Sequence, residues 1–309
     1  MTQATKVTPG GDGKLSADGP VFNQISSSRR ITDSIAKVVI YLAMVIALVP
    51  LVWVLAVVIK NGIGTVIDPS WWTQSQRGVS NSSPGGGAAH AIIGTLVQTL
   101  ICSIISIPIG IFTAIYLVEY SRGGKLGRIT TFMVDILSGV PSIVAALFIF
   151  ALWISVLGQG KSGMAVALSL VLLMVPVIVR NTEEMLRVVP ADLREASYAL
   201  GVPKWKTIAR IVLPTALSGI ITGIMLAIAR VMGESAPVLI LVGTSNIINW
   251  SPIGGPQSSL PLMMLDMYKA GTAPAVLDKL WGAALTLVII IALLNIGARI
   301  ISARYSVKH

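Results

Sequence analysis

Three ionisable residues sit where water is scarce. Arg180, Arg230 and Glu234 fall within or at the edge of long apolar stretches. An ionisable group near the bilayer midplane costs roughly 2.5–3.5 kcal/mol on insertion scales and usually marks a pathway or a partner. Arg230 and Glu234 are four residues apart, so on a helix they share a face and can pair. One reading is a structural ion pair in which each group offsets the other's desolvation. The other is an anion site. A guanidinium fork matches a tetrahedral oxyanion, and a nearby carboxylate accepts a proton from a protonated oxyanion while repelling a fully ionised one, a property that separates phosphate from sulfate. Gly233 and Pro237 would loosen the same helix and let backbone groups line a cavity. Arg180, four residues after Pro176, either snorkels toward headgroups or supplies a second cation on the exit side of a path. Asp135, six residues before Pro141, is a weaker candidate, equally readable as a helix cap or an ion-pair partner.

The elements that must hold these groups are membrane helices. The 309 residues are 54% hydrophobic and only 12% charged, about half the charge of a soluble domain. Six segments are long enough to cross a hydrocarbon core of about 30 Å: 35–59, 91–118, 129–157, 164–179, 215–242 and 280–301. With the N-terminus inside, the cytoplasmic segments hold Arg29, Arg30, Lys37, Arg122, Lys125, Arg128, Arg187, Arg194, Lys204, Lys206, Arg210, Arg299, Arg304 and Lys308. The external ones hold Lys60, Arg77, Lys161, Lys269 and Lys279. This asymmetry predicts both termini in the cytoplasm, and it accounts for most of the net charge of +10 without nucleic acid as a partner. Residues 1–28, rich in Ser, Gly, Thr and Pro, are expected to be a disordered tail ahead of a transmembrane domain over 29–309. Asp68, Pro69, Trp71 and Trp72 suggest an interfacial segment anchored by indoles, residues 82–89 a flexible strap, and 244–278 a segment able to re-enter the membrane surface. Gly219 and Gly223 predict a close helix contact.

The stretch from Arg194 to Pro214 is unlike its surroundings, a soluble-looking helical hairpin placed between two spans. It holds Glu195-Ala196-Ser197, Gly201 six residues after the glutamate, then nine residues before Ile211, with Leu213 and Pro214 following. Ala196 and Ala199 keep one helix face thin, Gly201 suits a turn with positive φ, and Pro214 would open the next helix where its missing N–H costs nothing. With Ser in place of the second Ala, this spacing resembles the EAA loop of permease subunits in ATP-binding-cassette importers, here within residues 181–214. In those permeases the loop is a coupling helix that fits a groove on the cytoplasmic ATPase. The resemblance therefore assigns Glu195, Ala196, Ala199 and Gly201 to ATPase coupling.

Other chemistry is scarce. Gly158-Gln-Gly160-Lys161-Ser162 imitates a phosphate-cradling loop, but Ser155 stands where that pattern needs glycine, and the segment is a short turn between spans. No ATP site is expected in the chain, and no nucleophile–base constellation marks an enzyme. Cys102 is the single cysteine, and neither His90 nor His309 has neighbours at metal-ligand spacing, so neither a disulfide nor a metal site is expected.

The segments Ser138–Phe148, Val175–Pro214 and Leu226–Ile240 together resemble the A-type permease of the bacterial phosphate-specific ABC importer, over a region from the first span to the last. That resemblance implies an all-α integral membrane protein with six transmembrane helices and the type I importer permease fold. It implies a multi-pass protein of the bacterial inner membrane, paired as a heterodimer with a C-type permease, with two ATPase subunits using ATP and Mg and an extracytoplasmic phosphate-binding protein. It also carries transport roles onto Arg180 and Arg230. An importer permease for sulfate, molybdate or an amino acid is the alternative within the class, and an ion-coupled secondary transporter the alternative outside it.

Overall fold

The computed structural model of the protein describes residues 27–121 and 123–305. The expected tail over 1–28 lies outside them except for Ser27 and Ser28, which already belong to the first helix, and Arg122, Lys308 and His309 lie outside them too. The described residues form helices α1 (Ser27–Ile67), α2 (Pro69–Thr73), α3 (Ala89–Ile115), α4 (Lys125–Ser138), α5 (Ser142–Ile149), α6 (Gly163–Val188), α7 (Ala191–Ala199), α8 (Lys204–Thr207), α9 (Leu213–Met232), α10 (Ala236–Leu241), α11 (Leu260–Ala270) and α12 (Pro274–Tyr305). Wider π turns extend α3 over Tyr116–Tyr120 and α5 over Phe150–Val156, and another leads into α9 over Ile208–Val212.

The chain divides into a unit up to Leu55 and a unit from Ala56 onward. The first is the leading part of α1, whose apolar side chains are exposed on every side, the pattern of a helix made for lipid rather than water. The second is organised on α6. Of the 18-residue apolar windows, 61% is buried in α6, against 33% in α3 and in the Lys204–Met232 run and 28% in α12. Met174, Ile178, Val179 and Leu186 of α6 form its core with Cys102 and Ala114 of α3 and with Ile220 and Ile224 of α9. A Cβ on Gly219 would lie 2.1 Å from Met185 Sδ, and one on Gly223 1.7 Å from Asn181 Oδ1, so the two glycines do bring α9 against α6. Because 181 faces 223 while 185 faces 219, the two helices run antiparallel.

Among the described residues five helices are long and apolar enough to span a membrane, and six spans result when α4 and α5 count as one bent pair. Three of the predicted spans change shape. The third is not one helix over 129–157. It breaks at Gly139-Val140-Pro141 and turns by 105°, because Pro141 removes an N–H and disfavours helix at the residue before it. The fourth runs on to Val188, which puts Arg180 well inside α6 instead of at its end. The fifth breaks at Gly233-Glu234-Ser235 between α9 and α10, as loosening by Gly233 and Pro237 predicts. Pro214 does not open a separate helix, since helical backbone runs continuously over Lys204–Met232. The π turn just before it absorbs the disruption, with the Leu213 N–H donating to Ile208 O. Ser162, part of the phosphate-loop imitation, caps α6 by accepting from Ala165 N at 3.4 Å.

At the end of the bundle opposite α7 and α8, two expectations are corrected. Trp71 is not an interfacial anchor; it is 2% exposed and donates its indole N–H to Thr286 Oγ1 at 2.8 Å. Trp72, partly exposed, donates to Val66 O. The strap is held in place, because Lys279 Nζ donates to the carbonyls of Ser80 and Ser83 at 3.0 and 2.9 Å. The segment before α11 does fold into the bundle. Gln98 Nε2 donates to Gln257 O at 3.1 Å, Thr95 Oγ1 accepts from Leu260 N at 2.9 Å, and a Cβ on Gly94 would meet Ser258 O at 2.0 Å. Since that obstacle is backbone, Gly94→Ala must push Ser258 off α3. A loss of about 1–3 kcal/mol is expected, read as a lower melting temperature of the detergent-solubilised protein, whereas Gly64→Ala, inside α1 with open space around it, should not lower the melting temperature.

Candidate functional site

Helix α6 ends at Val188, and Pro190 then starts α7, since its fixed φ suits a helix entrance. α7 closes in a Schellman turn. Gly201 has φ +74°, its N–H donates to Tyr198 O at 2.9 Å, and Val202 N donates to Ser197 O at 3.2 Å. The positive φ predicted for Gly201 is thus present. Pro203 follows and opens α8.

Glu195, Ala196 and Ala199 are exposed, while Ser197 between them is buried. The Ser197 and Thr207 hydroxyls lie 2.8 Å apart, latching α7 to α8. The single departure from the loop pattern therefore has a structural use, on the face turned away from the exposed alanines. Leu193, Tyr198, Leu200 and Trp205 add exposed apolar area around Glu195, with Leu200 83% exposed.

Sequence reasoning missed what anchors this hairpin. Arg194 donates from Nε and Nη2 to Glu119 Oε1 at 3.1 and 3.0 Å, and also to Leu186 O and Val189 O at 2.8 and 2.7 Å. Lys204 Nζ donates to the Glu119 carbonyl and lies 4.8 Å from the centre of the Tyr120 ring. A signal existed: Glu119 is the only acidic residue between Asp68 and Asp135, at the end of an apolar span.

The charged groups of the spans are arranged differently from the sequence expectation. Among the described residues Arg230 and Glu234 make no ion pair, because the helix that would align them ends at Met232 and Glu234 lies in the break. Arg230 is exposed in the last turn of α9, where a cation is favoured by the helix dipole. Arg180 instead carries the ion pairs. It donates to Asp135 of α4 and, at 2.8 Å, to Glu183 one turn on, and Glu183 accepts from Arg187 at 2.7 Å. Asp135 is thus an ion-pair partner. Glu183, 9% exposed in its side chain, sits between two guanidinium groups, and the sequence reading assigned it no role. Asp135, Glu183 and Arg187, with Arg128 and Thr131, line a cavity of about 330 Å³. Counting along the antiparallel α6 and α9, Arg180 lies level with residue 224, so Arg230 is about 9 Å further along the axis. The structure places the two arginines at successive levels rather than in one pocket.

Residues 106–307 match the family described as binding-protein-dependent transport system inner membrane component. Over 283 residues the chain is 54% identical to phosphate transport system permease protein PstA 1 of Mycobacterium tuberculosis strain H37Rv, covering 91% of each. The chain belongs to this permease family, in its PstA branch. A PstA permease of Mycobacterium leprae is likewise 54% identical, over 89% of this chain and 90% of that one. One from Yersinia pestis is 38% identical, over 89% and 92%. Among solved structures, an inward-facing MetNI methionine ABC transporter superposes with a TM-score of 0.55 at 20% identity, over 69% of this chain and 92% of that one. The shared fold is that of a type I ABC importer permease, and the chain is a multi-pass membrane protein.

The ion-pair ladder yields a ranking. Glu183→Gln strips two guanidinium groups of a buried carboxylate, whereas Asp135→Asn alters a carboxylate that is 57% exposed. Glu183→Gln should lower stability by about 1–3 kcal/mol and Asp135→Asn by less, measured as the order of their melting temperatures in one detergent.

Proposed function

We propose that this chain is one of two membrane-spanning subunits of an ATP-driven importer of inorganic phosphate. The observation that carries this is identity of 54% to phosphate transport permeases over nine-tenths of the chain, in a fold whose α7–α8 hairpin offers an exposed Glu195, Ala196 and Ala199 beside a rigid Gly201 turn. A related C-type permease completes the pathway, two ATPase subunits dock on the hairpins, and an extracytoplasmic binding protein delivers phosphate. The hairpin end faces the cytoplasm, in keeping with the Lys and Arg bias, and six spans return both termini to that side. ATP and Mg are used by the ATPase subunits.

Arg230 and Arg180 act as successive stations for the anion. Arg230, without a carboxylate partner among the described residues, offers its fork first, and Glu234 in the adjacent break accepts a proton from the incoming ion. Arg180 is already neutralised by Asp135 and Glu183. Phosphate must therefore compete with two carboxylates there, which prevents tight trapping and favours release.

Two variants test the reading. Gly201→Val places a β-branched residue at positive φ. It should leave membrane insertion intact while abolishing ATPase co-purification and phosphate uptake. Arg230→Lys keeps the charge and loses the bidentate fork. Uptake by that variant should fall by about tenfold or more with the complex still assembled, and normal uptake would remove Arg230 from the path.

A further inference from the structure

The hairpin is covalently continuous with α6 before it and with α9 after it, so motion delivered there reaches those two helices directly. It also carries an ion pair to a third helix. Glu119, in the π turn that ends α3, is 7% exposed. Its carboxylate holds Arg194 of α7 and its carbonyl holds Lys204 of α8. Both arms of the hairpin therefore meet at one residue. Arg194 immediately precedes Glu195 on the exposed docking face, and it also donates to Leu186 O and Val189 O, so four of its five N–H donors fix the guanidinium in place.

α3 continues this contact through the bundle. It packs closely on α6, where a Cβ on Gly110 would lie 2.5 Å from Ile178 Cγ2. Twenty-one residues before Glu119, about 32 Å along a helix, Gln98 donates to Gln257 O and Ser258 O, and Thr95 next to it accepts from Leu260 N. These are the residues that seat the buried start of α11 at the opposite end. One helix thus carries a hydrogen-bonded grip at each end, on the hairpin and on the far-side segment.

We propose that Glu119 is the positioning residue through which the hairpin drives α3, so that ATPase motion reaches the α11 segment at the far end of the bundle. This rests on the reading of the hairpin as the ATPase docking element. A static anchor would not require ions, because a buried pair is commonly no more stabilising than apolar side chains of the same volume. The charge pair supplies direction instead, holding Arg194 in register with α3 whenever the hairpin shifts.

The test uses the complete importer, with its second permease, ATPase and binding-protein subunits, reconstituted in vesicles, and reads phosphate imported per ATP hydrolysed. Glu119→Gln keeps shape and an acceptor oxygen but loses the charge. We expect it to retain ATPase subunits and hydrolysis while phosphate per ATP falls about tenfold. Unchanged phosphate per ATP would overturn the proposal, and so would loss of the ATPase subunits, which would make Glu119 a shaper of the hairpin only. A pair of cysteines replacing Glu119 and Arg194, on a Cys102→Ser background, guards against a folding defect. Closing that pair with a short thiol-bridging reagent should restore phosphate per ATP in the same protein, and no restoration after verified bridging would overturn the idea. Failure of the docking reading has a separate signature: Gly201→Val, with Glu119 intact, would keep its full complement of ATPase subunits.

Discussion

A hydrocarbon layer offers no hydrogen-bond partner, so every backbone polar group that enters it must be satisfied within the protein. Most of this architecture follows from that constraint. The long apolar runs are helices, and departures from regular helix occur where neighbours compensate. At the break before Pro141 the Gly139 and Val140 N–H groups donate to Ile136 O and Leu137 O of α4, and the start of α11 is met by Thr95 and Gln98 of α3. The π turn before Pro214 accommodates a residue with no N–H inside a helix that otherwise continues for 29 residues.

The same solvent argument governs the charges. An arginine inside α6 is tolerated because Asp135 and Glu183 surround its guanidinium, and Glu183 in turn holds Arg187, giving an alternating series in which neighbouring charges have opposite sign. Glu119 with Arg194 repeats the arrangement at the end of α3. Arg230 is the contrast. It stands at the broken end of α9, exposed and without a carboxylate partner among the described residues, stabilised by the dipole of its own helix. The difference in pairing, more than position in the chain, distinguishes an arginine open to an anion from one that an anion must win from competitors.

Between the spans, α7 and α8 invert the usual distribution. Their buried contacts are polar, Ser197 to Thr207 and Arg194 to Glu119, while leucine, tyrosine and tryptophan side chains are exposed. A polar interior fixes one hairpin geometry, and exposed apolar groups beside a glutamate and two alanines suit a surface made to be covered.

Much of the protein was legible in its residues because the signals were local. Six apolar stretches, the spacing from Glu195 through Gly201 to Pro214, and the loosening glycine and proline around Glu234 all depend on a few adjacent positions, and periodicity reports them directly. The pairings were not legible. Arg230 and Glu234 are at helical spacing, yet the helix stops between them; Arg180 instead finds Asp135, 45 residues away, and Arg194 finds Glu119 at a separation of 75. Trp71 reads as an interfacial residue until Thr286, 215 positions later, is placed beside its indole. Such contacts depend on how α3, α4, α6 and α12 pack, and that packing is set by shape, by where Gly110, Gly219 and Gly223 let helices touch, and by the need of each buried charge for a partner. Those quantities exist only once the helices have been brought together.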